Sequence, residues 1–288
     1  MFRCNKCKED FPVVSGVPVM INESHSIFRK SDFTGGLETT VRKRTNLTNV
    51  LNKFIPSLNN NVTAARNIDQ FRRLVSSLSN KPRVLVVGCR ELGVGMEQLV
   101  NDDMELCNTD VTLSDACMYI VDAHDIPFTD GTFDGVIVQT VLEHVADPKR
   151  CVDEIHRVLR DKGIVFAETS FNQQVHMGAY DFSRFTFMGH RRLFGAFEEI
   201  ETGIGSGPGM ALAWAYQYFL LSFSSSPRVR LLLKGFSRLT AFWLKYFDYL
   251  LIDSDMAKDG AATCYFIGRK ATERIPDREI VGLYRGGF

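Results

Sequence analysis

The stretch VLVVGCRELGVG, residues 84–95, decides the fold of this chain. An apolar, β-branched run ends on Gly88, and Gly93 and Gly95 follow where a helix would open. A strand running through a tight turn into a helix aims backbone N–H groups and the helix dipole at one spot, which suits a nucleotide-like ligand. Glycine after a first strand serves packing as readily as binding, and Arg90 stands where such turns usually carry another glycine. On this turn alone the two readings are level.

The next apolar run ends at Asp110, 22 residues after Gly88. A carboxylate at that distance commonly bonds ribose hydroxyls, the alternative being an Asp that caps its own turn. Turn and carboxylate together favour a nucleoside. Short apolar runs alternating with helical patterns continue from Pro82, the signature of a parallel α/β sheet. Strands are expected at 83–87, 104–109, 118–121, 135–139, 164–168, 197–204 and 262–270. Between the fourth and fifth, Asp147 is expected to cap a helix with Pro148 in its first turn and Cys151, Ile155, Val158 and Leu159 on one face. Gly163 is expected to end it in a left-handed cap.

At 288 residues the chain is long enough for one large domain with appendages. Acidic and basic residues balance at 34 each, so no overall field points to nucleic acid. Seven scattered cysteines suit a reducing compartment better than a disulfide framework. The N-terminus lacks the apolar core of a signal peptide, and no run reaches the roughly 20 apolar residues of a spanning helix. A cytoplasmic protein is expected.

The block VDAHDIPFTDGTFDGVIVQTVLEHVADPKRCVDEIHRVLRDKGIVFAE, residues 121–168, closely resembles the core of class I S-adenosylmethionine-dependent methyltransferases. An acidic and a small residue, an IPF…FD step, a VLEHV turn and an RVLRDKG transition occur in the family's order. The resemblance runs more weakly from Arg83 to Lys270. It implies a Rossmann-like, mostly parallel seven-stranded sheet with an antiparallel final strand. It also implies S-adenosylmethionine as cofactor: Gly88, Cys89, Arg90, Glu91 and Gly93 at the methionine portion, Asp110 at the ribose, Asp122 and Ala123 at the adenine, and Gln139 near the methyl group. The chain departs from the family at Val86, Arg90 and Leu92. Val86 stands where the family usually has an acidic residue, and Glu91 or Arg90 is expected to bind the cofactor's amino acid portion in its place. Only 12 residues separate Asp110 from Asp122, leaving little room for a helix. These departures favour the alternative of a non-catalytic, methyltransferase-like scaffold that binds protein partners.

Methyl transfer requires no metal, and none is expected. It does require the acceptor to be aligned and a hydroxyl acceptor to lose its proton. The segment ETSFNQQVHMGAYDFSRFTFMGHRRLF, residues 168–194, is dense in titratable and aromatic groups on the ligand-binding edge of the sheet. His176 is expected as the base, with His144 and Asp181 as further catalytic candidates and Tyr180, Arg184 and His190 on the acceptor. His144 could equally bond the fourth strand's backbone, Asp181 and Arg184 could pair as a loop clamp, and Arg191 and Arg192 could meet an anion or solvent. The segment DFSRFT…RRLF resembles those of bacterial methyltransferases from surface-polysaccharide gene neighbourhoods, and O-methylation of a small-molecule or saccharide acceptor is expected.

Residues 1–22 resemble half of a zinc ribbon, with Cys4 and Cys7 too few to close a tetrahedral site. Residues 23–80 are expected as a helical linker or lid, 81–270 as the methyltransferase domain with a helical insertion at 208–256, and 271–288 as a tail. Within the insertion, Arg230, Lys234, Arg238 and Lys245 fall on one narrow side of a broad apolar helix. That pattern fits peripheral membrane contact through 210–252, or else a hairpin buried on the sheet or in a homodimer.

Overall fold

The computed structural model describes residues 1–4, 8–34, 55–89, 93–99 and 103–288. Arg83–Val87 (β1), Glu105–Asp110 (β2), Tyr119–Ile120 (β3), Phe133–Gln139 (β4), Leu159–Ser170 (β5), Phe197–Ile204 (β6) and Thr263–Lys270 (β7) form one sheet. Its order is β6-β7-β5-β4-β1-β2-β3. β7 runs antiparallel to β5 and β6, and the other pairings are parallel. The expected sheet is therefore present, down to the antiparallel last strand. Between β2 and β3 the chain makes only turns.

Strands buried on both faces read as continuous apolar runs, and β4 and β7 do so. On one face, Leu85, Val136, Val138, Val165 and Phe266 pack with Cys151, Val152, Ile155 and Val158 of Pro148–Val158. On the other, Val84, Val86, Ile137, Phe166 and Ile267 pack with Ile68, Phe71 and Val75 of Ala64–Ser76. We number the helices α1 (Ala64–Ser76), α2 (Pro148–Val158), α3 (Phe187–Leu193), α4 (Pro208–Leu221) and α5 (Pro227–Ala241).

Two expectations are corrected, and the N-terminal segment finds its place. The helix read as linker or lid, α1, is a core element: a Cβ on Gly135 of β4 would collide with Phe71 and Val75. Its polar sequence obscured this because only one stripe of a core-facing helix need be apolar. The N-terminal segment is likewise built onto the sheet. Val19 bridges Ile120 beside β3, Met20 N donates to Ile120 O at 2.8 Å, and Val19 and Ile21 are fully buried. Finally, α2 begins as expected, with Asp147 accepting from Arg150 N, but it ends in an extended Leu159. The left-handed residue there is Lys162, and Gly163 instead allows close packing against Leu159 and the Arg160 and Asp134 carbonyls.

The helical insertion is a hairpin of α4 and α5 followed by short helices at Leu244–Phe247, Asp248–Leu251 and Asp255–Gly260. No described helix is long and apolar enough to cross a membrane. Asp248 is completely buried and accepts from Gly207, Gly209 and Met210 N, satisfying the open N–H groups at the start of α4. Lys245 Nζ is tied to the Ser57 and Asn59 carbonyls. Gln217 and Ser237 are buried between the helices, while Leu231, Leu232, Phe236, Leu239, Trp243 and Leu250 face solvent. The hairpin thus presents large apolar side chains outward and small or polar ones inward.

Candidate active site

Gly88, Asp110, Asp122 and Gln139 lie at or just beyond the carboxyl ends of four strands, the place where α/β sheets bind ligands. They line one cavity of about 470 Å³, within the roughly 300–1,000 Å³ usual for ligand sites. Cys89, Gly93, Ala123, His144, His176 and Tyr180 line it as well. The structure thereby brings together every expected cofactor residue that is described. Arg90, Glu91 and Leu92, like Cys7 of the knuckle, lie outside the described residues.

Gly88 turns the chain out of β1 with φ +82°, and a Cβ there would overlap Val141. Glycine meets both demands, the left-handed conformation and the close approach. Among the described residues, the helix expected next is a single 3₁₀ turn, Met96–Leu99. Asp110 Oδ1 accepts from Thr112 N at 2.7 Å, so this carboxylate both shapes its turn and borders the cavity. Gln139 Nε2 donates to Glu168 at 3.0 Å, while its buried Oε1 has no protein partner.

Asp122 accepts from Ser26 Oγ and, through Oδ1, from His124 N and Nδ1. Burial works to raise its carboxyl, but these donors outweigh it and hold the group below the usual carboxylate range. His124 Nε2 in turn accepts from Asp147 N at 3.0 Å, linking this end of the cavity to the start of α2. Sequence reading missed His124, although it follows the expected Asp122 and Ala123 directly. Ser26 and Phe28 were missed too, because only tertiary folding brings the N-terminal segment over the cavity. Phe28 stacks on Tyr180 with ring centroids 5.8 Å apart, roofing the cavity from two distant segments.

Thr140, also in the cavity wall, has φ +52°. A β-branched residue there is strained, and such strain concentrates at functional turns. The turn carries the chain into Leu142–His144. His144 Nδ1 donates to Tyr180 O at 3.0 Å, and its Nε2 lies 3.0 Å from His176 Nε2. His176 Nδ1 faces Gln174 O at 3.1 Å. Burial pushes both imidazoles down, His144 to about 4. Glu143 is wholly buried beside them. Its Oε1 accepts from Ser170 N and Oγ, its Oε2 has no partner, and burial pushes its carboxyl up to about 7.

Three expected acceptor-side residues act otherwise. The Asp181 side chain is buried outside the cavity, accepting from His176 N and Met177 N. Burial opposes its ionisation, but Arg184 and the two N–H donors hold it down to about 2. Arg184 commits its donors to Asp181 and to the Gln173, Gln174 and Ser183 carbonyls. The pair is the loop clamp that sequence left as the alternative. Arg191 pairs with Glu199 and Arg192 with Asp277, so neither awaits an anion.

His190 is a core residue, packed edge-on against Phe194 with centroids 5.1 Å apart. Burial holds it neutral, its pKa pushed down to about 3. An unfolded histidine binds its proton below about pH 6.5, so this group's contribution is lost as pH falls from there toward the folded value. Between pH 7 and pH 5 the wild type should therefore lose about 2 kcal/mol more stability than His190→Phe. Urea unfolding at the two pH values measures the difference, and equal losses would refute it.

The sheet of this order, with a cavity across its carboxyl ends, is a Rossmann-like α/β fold. In sequence, residues 92–167 match a protein-family profile described as Methyltransferase domain (Methyltransf_11). The matched segment is a methyltransferase domain, and S-adenosylmethionine is its methyl donor. This supports the enzyme reading over the scaffold. No curated protein matched the sequence significantly. Similar solved structures include the MccD protein, 13% identical with TM-score 0.47, covering 74% of this chain and 100% of that one. Haemonchus contortus phosphoethanolamine N-methyltransferase 2 in complex with S-adenosylmethionine is 16% identical with TM-score 0.44, covering 79% and 58%. Burkholderia thailandensis 1,6-didemethyltoxoflavin-N1-methyltransferase with bound 1,6-didemethyltoxoflavin and S-adenosylhomocysteine is 12% identical with TM-score 0.43, covering 72% and 79%.

The residues present fit the cofactor. Gly88 keeps bare backbone in the cavity wall, where any side chain would displace Val141, and Gln139 Oε1 is an unused acceptor on another wall residue.

Proposed function

We propose that the protein transfers methyl from S-adenosylmethionine to an oxygen of a small molecule or saccharide, presented at a membrane surface. The observation that carries this reading is the His144–His176 pair in the wall of the cavity that Gly88, Asp110 and Asp122 line. When bound, S-adenosylmethionine supplies a methyl group on a cationic sulfur that leaves as a neutral thioether. Gly88, Cys89 and Gly93, with Arg90 and Glu91 beyond the described turn, hold its methionine portion, Asp110 its ribose, and Asp122 with Ala123 its adenine. Gln139 borders the reacting centre.

On the acceptor side, His176 with His144 activates the hydroxyl. Asp181 and Arg184 are positioning residues that hold the loop bearing His176, and Tyr180 with Phe28 shields the cavity from water. The membrane part of the reading rests on the hairpin. Between Pro208 and Ile252 the only acidic residue is Asp248, and it is buried. Arg228, Arg230 and Lys234 stand exposed among the outward leucines and aromatics. A basic, apolar, aromatic-rich surface complements an anionic lipid interface, and an acceptor carried on a lipid would reach the site from there.

The test combines calorimetric titration with S-adenosylhomocysteine and a methyl-transfer assay using labelled donor and lipid-linked saccharides. Micromolar binding is expected, together with labelled product that His176→Ala loses while retaining cofactor affinity. A folded protein that binds neither S-adenosylhomocysteine nor S-adenosylmethionine would overturn the reading.

A further inference from the structure

The His144 and His176 rings meet in a way that ordinary hydrogen bonding does not explain. Each has its Nδ1 against a backbone carbonyl, Tyr180 O at 3.0 Å and Gln174 O at 3.1 Å. A carbonyl only accepts, so both Nδ1 atoms carry hydrogen and both Nε2 atoms of the neutral rings carry lone pairs. Those two lone pairs face one another across 3.0 Å. With no donor between them the contact is repulsive, and a cation resolves it.

We propose that His144, His176 and Glu143 form a binding site for a divalent first-row transition-metal ion at the acceptor end of the cavity. Two imidazole nitrogens bound side by side to one ion at about 2.1 Å, with a right angle between them, are about 3 Å apart, and the observed separation is 3.0 Å. The rings stand at 83°, with centroids 4.7 Å apart. A carboxylate oxygen of Glu143 and the two imidazole ligand atoms all lie within 4.8 Å of one another. Glu143 Oε2 is completely buried and has no other partner, while Oε1 is held by Ser170. Carbonyls that fix the Nδ1–H of metal-binding histidines, and hydrogen bonds that orient the ligating carboxylate, are the usual support of such sites. Imidazole with one carboxylate selects Mn, Fe, Co, Ni or Zn over Mg or Ca.

Both histidines line the cavity, so an ion held by three ligands keeps open positions toward the acceptor. This rests on the reading above and deepens it: with both Nε2 atoms on the ion, the ion binds the acceptor oxygen and acidifies its hydroxyl, whose proton passes to solvent at the open positions, and the oxygen then takes the methyl as the thioether leaves. The acceptor class is then one that offers a hydroxyl with a neighbouring oxygen, as sugars do.

The test is titration of the chelator-treated full chain with Co²⁺, followed by calorimetry and by visible absorption, with Zn²⁺ and Mn²⁺ as competitors. One Co²⁺ per chain is expected at micromolar or tighter affinity, with ligand-field bands and a raised Tm. His144→Ala and His176→Ala should each weaken it at least tenfold, and Glu143→Gln about tenfold, whereas His190→Phe should leave it unchanged. Titrating S-adenosylhomocysteine into the same samples keeps the two readings apart, because that ligand reports the cofactor cavity alone. Less than half an equivalent of Co²⁺ bound at 100 µM by the folded wild type would overturn the proposal. Undiminished binding in folded His144→Ala and His176→Ala variants would overturn it as well. Should His144→Ala fail to fold, His176→Ala and the wild-type stoichiometry decide.

Discussion

Gly88→Val is expected to weaken S-adenosylhomocysteine binding by about a hundredfold. At φ +82° an L-residue costs about 1–2 kcal/mol. The new side chain must also displace Val141 from the cavity wall, and overpacking of that kind costs about 1–3 kcal/mol. At about 1.4 kcal/mol per decade, the sum spans roughly thirtyfold to a few thousandfold if it falls on the binding-competent turn. Gly16→Ala is the control. Gly16 has a similar φ of +85° and nothing within 4 Å of a Cβ, and it lies outside the cavity, so it should lose stability without losing affinity. Calorimetric titration of both variants, with Tm recorded, gives the answer. Wild-type affinity in folded Gly88→Val would mean that this turn does not touch the cofactor.

Removing the outward apolar face of the hairpin should have a comparable effect on a different readout. Leu232, Phe236 and Leu250 are 73%, 53% and 80% exposed. Replacing all three with aspartate should leave Tm nearly unchanged, because none contributes to a core. Counting about 1 kcal/mol for each side chain partly immersed in lipid, partitioning into vesicles with anionic lipid should fall at least a hundredfold. Wild-type binding should also weaken as salt rises, since its cations act within a Debye length of the surface. Flotation of wild type and variant measures both effects. If the wild type does not float, the membrane reading fails. A dimer that the triple substitution splits would assign the face to a second copy.

How much of this was legible beforehand follows from what each feature depends on. The sheet is readable because strands buried on both faces must be apolar throughout, and turns between them must carry glycine, proline or aspartate. Runs such as Val84–Val87 and Gly135–Gln139 therefore declare themselves one by one. The start of α2 is equally local, since Asp147 and Pro148 satisfy their own helix. The residues expected at the cofactor come to line one cavity for a related reason, because strand ends converge wherever the sheet is parallel. By contrast, α1 was misjudged because its five buried positions are diluted by charge, and one of them is Asn67.

The acceptor side resisted for a physical reason. Titratable residues in a long loop can face the cavity, the core or one another, and the local sequence is indifferent to which. Asp181 and Arg184 turned to each other and His190 turned inward, while His176 crossed to meet His144, 32 residues earlier. Local periodicity was enough for the strands and the residues at their ends, and a family's motif order for the mostly parallel sheet, its antiparallel last strand and the cofactor class. Only the tertiary structure decided that two histidines would share one space over a buried carboxylate, that Phe28 would roof the cavity, and that a helical hairpin would turn its leucines outward. Those outcomes depend on which long-range contacts desolvate which groups, and no short stretch of chain contains that information.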